Sequence, residues 1–175
     1  MTAIENMRSS RAAAFVLVLL YAGFLGYWAW SGMQLLERIA THFNGSGEPN
    51  GWMSRSTNQT LMLTFGLVFP AFVIGLLYAT RFLPPFLINI PHRQYWLAAE
   101  RKLETADYLV RHSLWLACLM VGLVIGIQYS MVEANRQTPP HLSMPVFLQV
   151  MAPFVVGTAI WALVLLRHFR KPPLP

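Results

Sequence analysis

The chain has 175 residues, of which 55% are hydrophobic and 11% are charged, and its formal net charge is +6. Soluble domains carry roughly 25% charged residues, so the composition excludes an ordinary soluble protein. The positive charge does not indicate binding to nucleic acid, because the basic residues gather in alternate connections between apolar segments. That distribution is typical of a protein embedded in a membrane.

Four apolar segments are each long enough to cross a bilayer, which takes about 20 residues. They cover residues 12–32, 60–83, 108–130 and 144–166, and their centres carry no Asp, Glu or Lys. The first segment ends in Tyr27, Trp28 and Trp30 instead of a small-residue cleavage site, which predicts a retained helix and not a signal peptide. The sequence therefore predicts an all-α, polytopic membrane protein with a single four-helix transmembrane domain over residues 1–175.

The distribution of basic residues predicts the orientation of these helices. Ten of the 13 Lys and Arg residues lie at the two termini and between the second and third spans. The other three are Arg38, Arg55 and Arg136, in the first and third connections. Because Lys and Arg are enriched on the cytoplasmic side, we expect both termini to be cytoplasmic and the first connection to face outward.

The first connection contains a polar stretch, residues 41–55, that is rich in Gly, Asn and Pro. Such a backbone cannot contact lipid with unpaired amide groups, so it lies outside the hydrocarbon or against protein. Before it, residues 33–40 place Leu35, Leu36 and Ile39 on one side of a helix, so they are predicted to extend the first helix or to form an interfacial turn. The polar side chains His42, Asn44, Glu48 and His141 lack a strict metal spacing, so we expect a turn with local hydrogen bonds rather than a zinc site.

Two prolines and a mixed segment shape the rest of the chain. Pro70 and Pro153 lie within the second and fourth spans and predict kinks. Residues 86–96 mix apolar, aromatic and basic side chains, as is typical of a membrane surface. Helix-favouring residues follow, so we expect an interfacial amphipathic helix between Arg93 and Asp107 that precedes, and runs into, the third span.

The spans offer packing residues and no recognisable catalytic group. Gly122 and Gly126 form a G-x-x-x-G pattern, which brings helix backbones close together within a bundle or between two copies. Gln128 and Gln149 are predicted to hydrogen-bond between helices. Cys118 is the single cysteine, so an intramolecular disulfide is excluded, and no cofactor is predicted.

Two motifs resemble a known family. Thr41-His-Phe-Asn-x-x-Gly-x-Pro-x-Gly-Trp-x-Ser-Arg55 resembles the outer loop of the bacterial membrane family called domain of unknown function 1648. Asn89-Ile-Pro-His-Arg-x-Tyr-Trp-Leu-Ala-x-Glu-Arg101 resembles the next loop in many members. The domain also occurs at the N-terminus of SdpI-like proteins, which act in immunity and signalling against a secreted toxin. The resemblance implies a bacterial cytoplasmic (inner) membrane location and supplies no catalytic residues.

We therefore expect a non-enzymatic binding, sensing or immunity-like module whose outward loop engages a ligand, peptide or membrane protein partner. The alternatives are an accessory or structural subunit of a larger membrane complex, or a homo-oligomer, and then a small-molecule transporter. The candidate binding residues are His42, Phe43, Asn44, Gly47, Pro49 and Trp52 outside the membrane, and Asn89, His92, Tyr95 and Trp96 inside. The lipid bilayer is the remaining predicted partner.

Overall fold

A computed structural model describes residues 3–170, with side chains from Ser10 onward. Lys171, one of the basic residues counted above, lies outside the described residues. Within this range, four helices are long and apolar enough to cross a membrane: Ser10–Gln34, Arg55–Ala79, Lys102–Asn135 and Met144–Phe169. The prediction of an all-α polytopic membrane protein with four spans is confirmed.

A short hairpin and two small helical turns interrupt the long helices. In chain order the elements are α1 (Ala3–Gln34), β1 (Arg38–Phe43), β2 (Pro49–Ser54), α2 (Arg55–Leu63), a π-helical segment (Thr64–Val68), α3 (Phe69–Ala79), a 3-10 turn (Pro85–Leu87), α4 (Arg93–Trp96), α5 (Lys102–Asn135) and α6 (Met144–Phe169). The second span is made of α2, the π-helical segment and α3 together. The two strands pair antiparallel, with Ala40 opposite Trp52 and Phe43 opposite Pro49.

The predicted helical continuation through Ala40 is wrong beyond Gln34, because Arg38 to Ala40 belong to β1. Leu35 and Ile39 were the apolar residues that suggested a helical face. Both are buried, and they pack in one cluster with residues of α5. Ile39 is thus buried from a strand and Leu35 from the bend before it, an arrangement that periodicity alone does not distinguish from a short helix.

The interfacial helix predicted before the third span is divided into two parts. Its first part is the single turn α4, which follows His92 in the left-handed region at φ 51°. Turn residues then separate α4 from α5, which begins at Lys102 and not at Tyr108. The polar residues before Tyr108 therefore extend the third span beyond its apolar stretch.

Pro70 coincides with a change of helix type. Proline has no N–H to donate to the preceding turn, and the π-helical segment Thr64–Val68 lies directly before it, closed by Phe69 N–H donating to the Thr64 carbonyl. A single π-helical turn relieves such a break without ending the helix. Gly66 in this segment lies beneath the Phe24 ring, and a methyl group there would come 2.9 Å from Phe24 Cε2.

Helix α5 is the centre of the bundle and packs against α1, α3 and α6. Its buried residues Ala117 and Val121 form the main core together with Leu17 and Phe24 of α1. Helix α6 lies at the periphery and reaches α5 closely where Gly157 meets Leu119. The arrangement places both loop motifs at opposite ends of α5.

Candidate functional site

The turn of the hairpin is closed by Asn44. Its Oδ1 accepts hydrogen bonds from the backbone N–H groups of Ser46 and Glu48, both at 2.9 Å, and its Nδ2 donates to Glu48 Oε2 at 2.9 Å. Asparagine side chains stabilise turns in this way. Gly47 completes the turn, with φ at 83° and its N–H donating to the Asn44 carbonyl. The five-residue tip, residues 44–48, is therefore defined by local hydrogen bonds.

The side chain of Asn135 attaches the hairpin to the end of α5. Its Oδ1 accepts from Ala40 N–H at 2.8 Å, and its Nδ2 donates to the Ala40 carbonyl at 2.8 Å and to the Met131 carbonyl at 2.9 Å. Ala40 is fully buried, so its backbone groups need partners within the protein. The amide of Asn135 thus replaces a neighbouring strand at the edge of β1.

A second attachment joins the hairpin tip to the connection between α5 and α6. The Gly47 carbonyl accepts from Leu142 N–H at 2.9 Å, and the His141 N–H donates to the Ala134 carbonyl at 3.0 Å. Gly47 lies so close to this connection that an added Cβ would be 2.9 Å from His141 Cε1. The hairpin is consequently held at its strand edge and at its tip.

The outer face of the hairpin remains exposed. His42 is exposed, and its Nδ1 lies 2.5 Å from Asn50 Oδ1. Trp52 is 44% exposed, with the Arg38 guanidinium 6.0 Å from its ring centre. Beneath β1 a cavity of about 270 Å³ is lined by Thr41, His42 and Phe43 and by residues of α5 and α6. Exposed aromatic and imidazole groups beside a cavity suit the recognition of a partner or ligand.

A buried polar network lies below the hairpin and connects three helices. Gln128 Nε2 of α5 donates to Ser31 Oγ of α1 at 2.9 Å and to Gln59 Oε1 of α2 at 3.0 Å, while Asn58 Nδ2 donates to Gln128 Oε1 at 3.3 Å. Gln59 also exchanges hydrogen bonds with Trp28, whose Nε1 donates to the Gln59 carbonyl at 2.9 Å. Interhelical side-chain hydrogen bonds of this kind fix the packing of membrane helices.

The predicted residues of the second motif lie at the opposite end of the bundle. Asn89 and His92 are exposed, and His92 Nε2 donates to the Arg170 carbonyl at 2.9 Å. Tyr95 is half-buried, with the Arg101 guanidinium 3.9 Å from its ring centre. The Trp96 carbonyl accepts from Thr105 Oγ1 of α5 at 2.7 Å. This second motif is therefore held against α5 and the end of α6.

Sequence reasoning missed a chain of stacked rings beside Trp96. The Trp96 and His168 ring centres are 5.0 Å apart, and His168 stacks on Tyr108 at 3.6 Å. The row of rings continues along α5 to His112, whose ring centre is 5.6 Å from that of Tyr108. It ends at Trp161, whose ring centre is 4.8 Å from that of His112. His112 and Trp161 also exchange hydrogen bonds of 2.9 Å, each ring with the other residue's carbonyl.

The G-x-x-x-G pattern is used unevenly within the chain. A Cβ added to Gly126 would meet the Val150 side chain of α6, whereas one added to Gly122 would meet nothing within 4 Å among the described residues. The two glutamines predicted to join helices also differ. Gln128 is buried and hydrogen-bonded, whereas Gln149 is exposed and its side chain makes no hydrogen bond within residues 3–170. Gly126 thus serves contact between α5 and α6 in one chain.

Comparison with protein families identifies the first part of the chain. Residues 12–68 match the family described as Domain of unknown function (DUF1648), which confirms the resemblance seen in the motif of residues 41–55. The match covers α1 from residue 12, the hairpin, α2 and the π-helical segment, and it ends at the last residue of that segment. Neither a curated protein nor a solved structure matches the chain.

Proposed function

We propose that this chain, which carries a DUF1648 domain over residues 12–68, is a non-enzymatic membrane protein whose hairpin recognises a ligand, peptide or partner outside the membrane. The observation that carries the proposal is the double attachment of the hairpin, through Asn135 at its edge and Gly47 at its tip. A surface that is already ordered loses less conformational freedom on binding. The attachment leaves the side chains of Trp52 and His42 exposed.

The basic end of the bundle supports an outward hairpin. Arg81, Arg101, Arg111 and Arg167 lie at or near the end opposite to the hairpin. Because the positive-inside rule places such residues in the cytoplasm, the proposed location is a bacterial cytoplasmic membrane with both termini inside. The SdpI-like resemblance suggests an immunity-like form of this function, in which the hairpin engages a secreted toxin.

Helix α5 offers a direct physical connection between the outer and inner motifs. At one end Asn135 binds β1, and at the other Thr105 binds the Trp96 carbonyl. The helix has 34 residues, a length of about 50 Å at 1.5 Å per residue. A rigid element in contact with two loops suits a sensor, since displacement of one loop biases the position of the other.

Site-specific photo-crosslinking tests the recognition role. A photoreactive residue at Trp52 is expected to capture one partner in native membranes, while the same residue at exposed Gln137 on that side of the bundle captures none. Adding Asn135→Ala to the variant with the photoreactive residue at position 52 should strongly reduce the crosslinking yield. Two backbone groups of Ala40 then lose their partners, at a cost of about 1–3 kcal/mol each. Equal capture from both positions would contradict the proposal.

An accessory subunit of a larger membrane complex is the second candidate function. The observation in its favour is that the membrane-crossing part of α6 has no buried residue, which leaves the side of α6 that does not contact α5 available to another protein. A photoreactive residue at exposed Val156 would then capture the larger subunit, and gentle-detergent purification would yield a complex in place of a monomer. A transporter has the least support, because ionisable residues of a substrate path are lacking at the centres of the spans.

A further inference from the structure

The bundle contains an apolar groove between α1, α5 and α6, of about 620 Å³. Its walls include Leu20, Trp115, Leu119, Ile160 and Val164. The volume is within the usual range of about 300–1,000 Å³ for small-molecule sites. From Arg111 to Leu119 the groove follows α5 over nine residues, a rise of about 12 Å at 1.5 Å per step, so it descends from the basic end of the bundle into the bilayer.

One end of this groove opens onto a polar cavity. Tyr108 and Arg111 line the apolar groove and also line a second cavity of about 230 Å³. That cavity is otherwise walled by Trp96, Arg101 and His168, together with Thr105 and Glu104. The two spaces therefore adjoin at Arg111. Together, the polar cavity and the apolar groove form an amphipathic site.

The polar cavity is lined by two arginines that form no ion pair within the described residues. Within residues 3–170, Arg111 forms no ion pair, and its recorded contact is with the Tyr108 ring at 5.9 Å. Arg101 donates from Nε to the Tyr95 carbonyl, and no ion pair engages its guanidinium within that range.

The charge of the cavity favours an anion. Two guanidinium groups, Arg101 and Arg111, face one carboxylate, Glu104. The neighbouring carboxylate Asp107 is already paired with Arg81, so it does not neutralise the cavity. Arginine guanidinium groups are suitable donors for phosphate oxygens, and basic pockets between membrane helices bind anionic head groups.

We propose that this site binds an anionic phospholipid. Its phosphate lies against Arg111 and Arg101, and one acyl chain follows the groove between α5 and α6. The aromatic rings at the mouth fit the level of the head groups, where Trp and Tyr are enriched. The site is separate from the hairpin, so the proposal does not depend on the recognition role proposed above.

Lipid binding to the purified full-length chain tests the proposal. Native mass spectrometry of the protein in a neutral detergent would measure retention of phosphatidylglycerol, with phosphatidylcholine of the same acyl chains as the comparison. We expect preferential retention of phosphatidylglycerol and a loss of about tenfold or more in affinity for Arg111→Gln, as for a charged hydrogen bond. Arg101→Gln is the second variant and should also weaken binding.

The control is Arg93→Gln, which removes the same charge from an exposed position at the same end of the bundle. It should leave lipid retention unchanged, and circular dichroism should show the same helix content in all variants. If Arg111→Gln does not fold, lipid retention by Arg101→Gln is compared with retention by Arg93→Gln instead. Equal effects of these substitutions, or equal retention of the two lipids, would overturn the proposal. Displacement by inorganic phosphate or glycerol 3-phosphate at the lipid's own concentration would also overturn it, by identifying a soluble-anion site.

Discussion

Gly47 meets two requirements that no other residue type satisfies together. Its φ of 83° lies in the left-handed region, and a Cβ there would collide with the His141 ring and the Leu142 carbonyl. The first requirement alone costs an alanine about 1–2 kcal/mol. Gly47 is therefore required both for the turn of the hairpin and for the close contact with the α5–α6 connection.

We predict that Gly47→Ala loosens the hairpin without unfolding the bundle. Amide hydrogen exchange of Ser46, Glu48 and Leu142 should accelerate at least tenfold, since the hydrogen bonds of the tip require the present backbone geometry. The membrane helices should keep their protection, because none of their core contacts involves the tip.

Gly45→Ala is the matched control for this prediction. Gly45 lies two residues away in the same turn, is exposed, and has no atom within 4 Å of an added Cβ among the described residues. Its replacement should leave exchange nearly unchanged. Similar acceleration in both variants would show that the hairpin tip does not rely on the geometry of Gly47.

At the scale of elements, the buried amide of Gln128 holds α1, α2 and α5 together. We predict that Gln128→Leu destabilises the protein by about 1–2 kcal/mol, because Ser31, Asn58 and Gln59 lose a shared partner. Reversible unfolding in mixed micelles would measure the change. Gln149→Leu, the same substitution at an exposed position, should change the free energy of unfolding by less than about 0.5 kcal/mol.

The spans could be predicted from the sequence because hydropathy acts over whole segments. Twenty consecutive apolar residues have few alternatives to a membrane helix, and the observed spans differ from the predicted ones mainly at their ends. Polar ends such as Lys102–Asp107 extend α5 because neighbouring side chains bind them, as Arg81 binds Asp107. Hydropathy carries no information on such contacts.

The hairpin and the ring chain could not be predicted because both depend on tertiary contacts. Leu35 and Ile39 are compatible with a helix or a strand, and it is the amide of Asn135, far along the chain, that provides a partner for β1. His112 and His168 come from different helices and meet only when α5 packs on α6. The motifs at residues 41–55 and 89–101 indicated the two ends of the molecule but not these contacts.

At the scale of the whole molecule, α5 organises the structure. It forms the core with α1 and α3, packs against α6, and contacts one motif at each end. The polar cavity of the amphipathic site lies at its first turns and the hairpin at its last, so the proposed phosphate site and the hairpin are at opposite ends of the helix. The central claim is that these ends face opposite compartments, with the hairpin outside.

Thiol labelling in intact cells tests this claim most directly. In a Cys118→Ala background, which removes the single native thiol, Gly45→Cys and Gln94→Cys place one exposed thiol at each end of α5. A membrane-impermeant maleimide should label the Gly45→Cys variant in intact cells and the Gln94→Cys variant only after permeabilisation. Labelling of Gln94→Cys alone in intact cells, or of both variants, would contradict the orientation and with it the outward recognition surface.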